Sequence, residues 1–517
     1  MQEQLQLLPD LLAAHLQLSL VALLLGLCIS IPLGVLLTRR RSWEPAILGV
    51  AGVIQTIPSL ALLAFMVPAL GALSGVTETW FGLEVSAIGY GPALIALTLY
   101  SMLPILQNTL TGVLGVDEAL KEAARGVGMT DRQQLWQVEL PQALPVIVAG
   151  VRTATVWVVG TTTLSTPIGA PSLGNYIFTG LNTRNFTAVT VGCIASAGLA
   201  IGLDILIRFA QRAVEVRHRG RIRVALALTA LLYGYTAWTF VQDQLLPGRA
   251  PVVKVGSKAF TEAYIMAEII SARVEAVTPY RATQTKSLGS AVIFEALKSG
   301  DLHAYLDFSG TIWVNVMKRG EPPKVRDAIL GEVKSALAEE HDVLMLGALG
   351  YENLYAFAMR RAQAESLNIR TVSDMIRHAP TLEMAADFEF FGRPEWKSVQ
   401  AKYGLSFRKR RTMDSALMYA ALAEGDVDVI SAYTTDGRID AYDLVVLEDD
   451  RGAIPPYHGI VLLNGAFARE HPQVVEALKP MLGAFDETSV RKLNAQVDQD
   501  KRSPREVGQA AAKELFK

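Results

Sequence analysis

Aromatic residues in the C-terminal half of the chain form the first group whose chemistry is informative. A cation that carries no N–H group, such as a trimethylammonium, is recognised by aromatic faces placed around it, and each contact contributes roughly 0.5–2 kcal/mol. For any single aromatic residue the alternative is a place in a hydrophobic core. The argument therefore depends on several of them converging. The candidates are Tyr305, Phe308, Tyr355, Tyr433 and Tyr457.

Three charged residues accompany these aromatics. Arg393 carries a planar guanidinium that suits two parallel hydrogen bonds to a carboxylate, so it is the candidate partner for a carboxylated solute. The alternative for Arg393 is a salt bridge between two lobes. Asp307 and Asp436 would add a negative field. These residue types indicate recognition of a small charged solute.

Five motifs follow one another in this half of the chain. They are Gly256-Ser257-Lys258-Ala259-Phe260-Thr261-Glu262, Ala304 to Thr311, Asn353-Leu354-Tyr355-Ala356, Glu389-Phe390 with Arg393, and Tyr433-Thr434-Thr435-Asp436-Gly437 followed by Pro455-Pro456-Tyr457. In this order they resemble the solute-binding proteins of the osmoprotectant family, which takes up glycine betaine, carnitine and choline.

The resemblance implies which residues contact the solute. It supports Phe308, Tyr355 and Tyr457 most directly, and it adds Thr311 and Thr434 to the aromatic and charged candidates. Phe308 stands where the family usually has tyrosine, so one hydroxyl donor is missing. The alternative for the neighbouring Tyr305 is a strand position inside one lobe.

Alternating strand and helix patterns must position these residues. Strands are predicted at Val252 to Gly256, Ala304 to Phe308, Val427 to Ser431 and Leu444 to Leu447. Helices are predicted at Thr261 to Val274, with Thr261 as N-cap, and at Ala291 to Leu297 and Glu470 to Phe485. The expectation is an α/β domain of two lobes over residues 252–517, with the chain crossing between the lobes and returning.

The N-terminal half is apolar and contains six stretches long enough to cross a bilayer, which takes about 20 residues. We predict an all-α permease domain over residues 16–245, after an extracytoplasmic segment of residues 1–15. The six stretches are Leu16 to Thr38, Pro45 to Leu70, Ala87 to Leu106, Ala143 to Ser165, Ala188 to Ala210 and Val224 to Val241.

Arginine and lysine in short loops predict the orientation, because they remain cytoplasmic. Arg39 to Arg41 follow the first stretch, Lys121 to Arg132 the third, and Arg212 to Arg223 the fifth. The N-terminus is therefore expected outside, and six crossings return the chain to the outside. The sixth stretch then serves as a retained anchor, with residues 246–251 as linker; the alternative is cleavage as a signal sequence.

A loop between the third and fourth stretches carries a more specific pattern. Glu122-Ala123-Ala124, Gly128 and Val138-Glu139-Leu140-Pro141 keep the spacing of the E-A-A loop of bacterial ABC-transporter permeases. A short helix, a turn at Gly128 and a new helix at Pro141 are expected. The resemblance implies docking to an ABC ATPase subunit and a homodimeric permease. The coupling candidates are Glu122, Ala123, Ala124, Gly128, Leu140 and Pro141.

Two further stretches, Gln55 to Leu63 and Tyr100 to Ile105, resemble permeases of the same osmoprotectant family. Pro58 and Pro104 within them are interpreted as helix kinks. No glycine is followed by lysine, so no Walker A loop exists and ATP must be hydrolysed on the partner. The seven histidines form no metal-ligand spacing, and Cys28 and Cys193 lie in apolar runs. We expect neither a cofactor nor a metal in the chain.

The prediction is a fused permease and substrate-binding subunit of an ABC importer in the bacterial inner membrane. Its solute is expected among glycine betaine, choline, carnitine and the histidine betaine ergothioneine. Permease–receptor fusions of this layout resemble ergothioneine importers as well as betaine importers. The alternatives are an ABC importer for another small polar or amino-acid-like solute, and a ligand-sensing membrane receptor. Enzymatic activity has little support. A net charge of −2 provides no positive electrostatic field that would attract nucleic acid.

Overall fold

The computed structural model describes residues 2–81, 86–183, 185–216, 218–245, 251–319, 328–387, 390–413 and 415–516. Most of the predicted linker and Glu389 lie outside the described residues. The chain divides into two compact units, one of Met1–Phe178 with Phe186–Arg249, and one of Thr179–Asn185 with Ala250–Lys517.

The first unit consists of helices and the turns between them among its described residues. Helices α4 and α7 pack on each other, and α1 packs on both. A 3-10 turn, Thr163–Ile168, follows α7, and a π-helical turn, Leu135–Glu139, precedes it. The helices are α1 Gln2–Arg39, α2 Glu44–Thr56, α3 Ser59–Phe81, α4 Tyr90–Leu114, α5 Glu118–Gly126, α6 Asp131–Gln134, α7 Leu140–Thr162, α8 Gly174–Asn182, α9 Phe186–Glu215 and α10 Arg219–Leu245.

Four helical segments among the described residues are long and apolar enough to cross a membrane, or five with one bent pair. The four are Gln6–Arg39, Tyr90–Leu114, Asp131–Ile168 and Phe186–Glu215. The sixth predicted stretch lies in α10, which is not among them. We predicted about six spans, and the described residues contain four, or five if the bent pair counts as one span. The orientation of the termini remains a prediction.

The second predicted span is not one straight helix. Helix α2 ends at Thr56 and α3 begins at Ser59, and the pair is bent by 103°. Pro58 lies between the two helices. It explains the break, because proline lacks the N–H that a continuous helix needs. The kink interpretation of Pro58 is confirmed, whereas Pro104 lies inside α4 without ending it.

The second unit alternates strands and helices, as the sequence predicts. Its strands are β1 Val252–Lys258, β2 Arg281–Leu288, β3 Ala304–Phe308, β4 Val343–Glu352, β5 Tyr355–Arg360, β6 Glu383–Ala386, β7 Lys409–Thr412, β8 Val429–Tyr433, β9 Leu444–Leu447 and β10 His458–Asn464. Its helices are α11 Thr261–Val277, α12 Ser290–Lys298, α13 Ser309–Thr311, α14 Ala328–His341, α15 Arg361–Leu367, α16 Val372–Met375, α17 Pro394–Tyr403, α18 Ser415–Glu424, α19 Arg438–Ala441, α20 Gly465–Glu470, α21 Pro472–Leu478, α22 Glu487–Asp498 and α23 Pro504–Leu515.

Two five-stranded sheets define two lobes. Lobe 1 has the strand order β2-β1-β3-β10-β4 and lobe 2 the order β7-β6-β8-β5-β9. In each sheet the first three strands are parallel and the strand that follows is antiparallel. The chain crosses from lobe 1 to lobe 2 between β4 and β5, and returns between β9 and β10. The predicted two-lobed α/β domain is confirmed.

Apolar side chains explain why both sheets are covered on their faces. In lobe 1, α11 packs on β1, β2 and β3 and buries Ile265, Ile269 and Val274, which recur at helical spacing. In lobe 2, α18 buries Tyr419 and Leu422 against one face of the sheet. These cores hold the strands in fixed positions, and the candidate site residues stand on β3, at the ends of β5 and β8, and on the segments next to them.

Three predicted boundaries are wrong. The N-cap of α11 is Phe260, not Thr261, and it makes no side-chain capping bond. The predicted helix Glu470 to Phe485 is divided, because Pro472 begins α21 and Gly483 adopts a positive φ of 68°. Strand β8 begins two residues later than predicted, at Val429.

Stability of lobe 1 should fall in acid through His303. Its ring stacks on Phe467 at 4.0 Å between centroids, and the backbone N–H of Lys254 donates to its Nδ1 at 3.2 Å. Burial, with the charges of Lys254 and His471, lowers the pKa of His303 from 6.5 to about 4. Because the folded state disfavours the protonated ring, its contribution is complete above pH 6.5 and is lost as pH falls towards 4.

We expect the loss at pH 5 to be roughly 1–2 kcal/mol, after a discount for the partial solvent exposure of the ring. Calorimetric unfolding of the full chain at pH 7 and pH 5 measures it. His303→Gln keeps an acceptor for Lys254 but cannot titrate, so its midpoint should shift less between the two pH values. An equal shift in the variant would contradict the assignment.

Candidate functional site

Aromatic rings gather on lobe 2 where the chain enters it. Tyr355 at the start of β5 lies 4.7 Å from Tyr433 at the end of β8 and 5.2 Å from Phe390, measured between ring centroids. The Tyr433 hydroxyl donates to the Tyr355 hydroxyl at 2.9 Å. Burial raises the pKa of Tyr355 to about 12, so both its ring and its hydroxyl stay neutral at physiological pH. We call Tyr355, Phe390 and Tyr433 the aromatic cluster.

Arg393 lies over this cluster, with its guanidinium carbon 5.2 Å from the centre of the Tyr355 ring. It also donates from Nε and Nη2 to the two carboxylate oxygens of Glu395, at 3.1 and 3.0 Å. Pro394 begins α17, so Arg393 is the N-cap of this helix and Glu395 lies in its first turn. The same helix end therefore positions Arg393 and Glu395. The Tyr355 face is therefore already in contact with a planar cation.

Glu395 connects the two lobes. It is 1 % exposed, and it accepts a hydrogen bond from Tyr457, which stands at the return to lobe 1. Burial alone would raise the pKa of Glu395, but hydrogen bonds from Arg393 and Tyr457 hold it below its ordinary value. A Cβ on Gly310 would lie 2.8 Å from ring atoms of Tyr457, so glycine permits this close approach.

Lobe 1 contributes a second group around the end of β3. Asp307 pairs with Lys258 and accepts from the Tyr305 hydroxyl at 2.6 Å and from the backbone N–H of Phe308 at 2.7 Å. Phe308 is buried 6.1 Å from Phe260 between ring centroids. Tyr305 is fully buried, so it occupies the position inside the lobe that was its alternative.

The remaining candidates have local partners on lobe 2 or half-buried positions. Asp436 forms an ion pair with Arg438, whose guanidinium lies 3.8 Å from the centre of the Tyr419 ring. Thr434 accepts from the backbone N–H of Leu354 at 3.0 Å, next to the crossing between lobes. Thr311 ends α13 and is half-buried.

The structure thus brings Tyr355, Tyr433, Arg393 and Tyr457 into one connected network and places Tyr305 and Asp307 in another. Whether each contacts a solute stays a prediction. Sequence reasoning missed Phe390 and Glu395 as members. Phe390 belongs to the motif of Glu389-Phe390 with Arg393, and Glu395 stands two residues after Arg393, so the spacing of Phe390, Arg393 and Glu395 around one helix start was the available signal.

The E-A-A segment of the first unit has the predicted local structure. Asp117 caps α5 by accepting from the backbone N–H of Ala119 at 2.9 Å, Gly128 has a φ of 82°, and Pro141 lies in the first turn of α7. Glu122 and Ala123 are exposed, whereas Ala124 is buried.

Apolar side chains are exposed on the same segment. Val127 is 74 % exposed and Leu120 is 44 % exposed. Glu139, directly before α7, is 2 % exposed and accepts from Arg39 at 3.0 and 2.9 Å and from Gln134 at 2.7 Å. The end of α1 therefore holds the segment in place while its apolar tip stays uncovered.

Comparison with known families agrees with both units. Residues 251–514 match the substrate-binding domain of ABC-type glycine betaine transport systems, and residues 30–220 match the binding-protein-dependent transport system inner membrane component. A solved structure titled as a glycine betaine/carnitine/choline ABC transporter is 26% identical, with a TM-score of 0.48, over 51% of this chain and 100% of its own.

Two curated relatives differ in how much they share with this chain. An ergothioneine transport permease/ergothioneine binding protein of Helicobacter pylori is 29% identical over 93% of this chain and 86% of its own length. A choline transport system permease protein of Bacillus subtilis is 43% identical over 38% of this chain and 84% of its own length. The chain belongs to the family of ABC-type glycine betaine transport systems, as a permease fused to its substrate-binding domain.

Proposed function

We propose that the substrate-binding domain captures a small quaternary-ammonium solute, such as glycine betaine, choline, carnitine or ergothioneine, for import by the permease. The aromatic cluster with Arg393 carries this proposal, because a guanidinium lies 5.2 Å from the Tyr355 ring centre and the tyrosines are uncharged. Aromatic faces that accept one cation suit an ammonium that has no N–H to donate. The relatives from H. pylori and B. subtilis, named for ergothioneine and choline, support the same solute class.

The energy for import would come from a separate ABC ATPase. The chain has no Walker A sequence, and the exposed side chains of Leu120 and Val127 form an apolar tip that suits a groove on such a subunit. Two copies of the chain would pair with two ATPase subunits. The permease would lie in the bacterial inner membrane, with the substrate-binding domain on the extracytoplasmic side, as the positions of arginine and lysine predict.

The solute class is tested at Tyr355. The full chain in lipid nanodiscs should bind glycine betaine more tightly than glycine in calorimetric titrations. Tyr355→Leu removes the ring but keeps apolar area, and should weaken glycine betaine binding by roughly 0.5–2 kcal/mol. Tyr355→Phe keeps the ring and should bind nearly as well as the unaltered chain.

Equal binding of glycine and glycine betaine would remove the quaternary-ammonium assignment and leave an importer of another small polar solute. Equal binding by Tyr355→Leu and Tyr355→Phe would instead remove the aromatic cluster as the recognition element.

A further inference from the structure

Glu262, the second residue of α11, is a buried carboxyl group that the proposed solute site does not use. It closes the first of the five sequence motifs, and its side chain is 3 % exposed. Among the residues that the structure describes, its hydrogen-bond partners are all uncharged. Burial raises the pKa of Glu262 despite four hydrogen bonds that lower it. Such a group is costly to bury, so its contacts deserve a functional explanation.

The four donors to Glu262 come from both lobes. Tyr351 on β4 donates to Oε1 at 2.7 Å, and Asn494 on α22 of lobe 1 donates to Oε2 at 3.4 Å. Asn353, at the crossing from lobe 1 to lobe 2, donates at 3.2 Å. Thr435, directly after β8 of lobe 2, donates through its hydroxyl at 2.5 Å. One carboxyl group therefore contacts lobe 1, the crossing and lobe 2.

The two asparagines turn their NH2 groups towards Glu262 at a cost. The Oδ1 atoms of Asn353 and Asn494 are buried and accept no hydrogen bond within the described parts of the chain. A buried acceptor without a donor is unfavourable. The oxygens of Glu262 explain the orientation of the Asn353 amide, and together with the carbonyl of Thr435 they explain that of Asn494.

The segment of lobe 2 that Glu262 contacts lies against α22 of lobe 1. Asn494 also donates to the carbonyl of Thr435 at 2.8 Å, and Arg491 donates to the carbonyl of Thr434 at 2.8 Å. A Cβ on Gly437 would lie 2.7 Å from the backbone nitrogen of Ala495. We call residues 434–437 the lobe 2 turn. It directly follows Tyr433, a member of the aromatic cluster.

We propose that Glu262 is a positioning residue for solute binding, which fixes the lobe 2 turn against lobe 1 and thereby sets the position of the Tyr433 ring beside Tyr355. This inference rests on the proposed solute site. Glu262 does not contact the aromatic cluster itself among the described contacts. Its effect on affinity passes through Thr435 and the backbone that leads to Tyr433.

The first test needs no solute. Hydrogen exchange of the full chain in nanodiscs should show faster exchange of the lobe 2 turn in Glu262→Gln, because glutamine offers one acceptor where the carboxylate offers two. Exchange of strand β6, on the same lobe, serves as the internal control and should not change. Unchanged exchange in the turn would overturn the proposal, whatever the solute proves to be.

The second test separates positioning from stability. Glu262→Gln should weaken glycine betaine binding about tenfold, as expected for loss of a charge-assisted hydrogen-bond set. In a Tyr433→Leu background the same change should have little further effect, whereas in a Tyr305→Phe background it should keep its full effect. Equal effects in the two backgrounds would overturn the proposal.

Thr435 provides variants in case Glu262→Gln does not fold. Thr435→Val removes only the donor from lobe 2 and should weaken binding several-fold, while Thr435→Ser keeps the hydroxyl and should restore it. Lower unfolding midpoints with unchanged affinity would leave Glu262 with a purely structural role. If the unaltered chain binds no betaine, the proposed solute fails, and the exchange measurement still decides the positioning role.

Discussion

Replacing Arg393 and Glu395 together by glutamine should weaken binding of glycine betaine by about 1.5–3 kcal/mol, the range for hydrogen bonds to charged groups. Choline has no carboxylate and should bind the double variant nearly as well as the unaltered chain. The reason is the position of Arg393, whose guanidinium lies over Tyr355, within the aromatic cluster proposed to hold the ammonium. Titrations of the full chain with both solutes measure the difference.

The double variant is needed because Arg393 and Glu395 neutralise each other. Glu395 is 1 % exposed, so Arg393→Ala alone would leave a buried carboxylate without its cation, which costs about 3–5 kcal/mol in a buried pair. That loss would lower the stability of lobe 2 and affect both solutes. Glutamine at position 395 still accepts from Tyr457. A double variant that weakens choline and glycine betaine equally would show that Arg393 holds the site together without reading the carboxylate.

Local pattern was enough to predict much of this fold. Strands β3 and β9 have the predicted bounds, Ala304 to Phe308 and Leu444 to Leu447, because each is a short, mostly apolar run next to polar residues. Pro58 and Gly128 act within one turn of their own position, so their effects could be anticipated. The predicted Glu470 to Phe485 helix failed where the apolar spacing continued across Pro472.

Charge partners were harder to predict, because they depend on which segments the fold brings together. Asp307 is paired with Lys258, 49 residues away, so it cannot contribute a free negative charge as its motif position suggested. Asp436 is paired with Arg438, two residues away, a contact that the sequence does contain. Glu262 accepts hydrogen bonds from residues as far apart in the chain as Tyr351 and Asn494, and no pattern in the sequence relates these positions. Long-range pairing of this kind requires the folded structure.

The largest effect on transport is expected at the exposed tip of the E-A-A segment. Val127→Asp should abolish ATP-driven uptake in vesicles that contain the partner ATPase, and it should leave glycine betaine affinity unchanged. Val127 is 74 % exposed, so the substitution disturbs little packing within the chain. It places a charge on the apolar surface proposed to enter the ATPase groove, where desolvation of an unpaired charge is costly.

Gly128→Asp tests the shape of the same tip. Gly128 has a φ of 82°, which residues with a Cβ rarely adopt, so this variant should also lose uptake through a changed turn. Val216→Asp is the matched control, because Val216 is 65 % exposed just beyond the end of α9 and lies outside the E-A-A segment. Its uptake should stay normal. Normal uptake by Val127→Asp, or equal loss in Val216→Asp, would show that ATPase coupling does not depend on this tip.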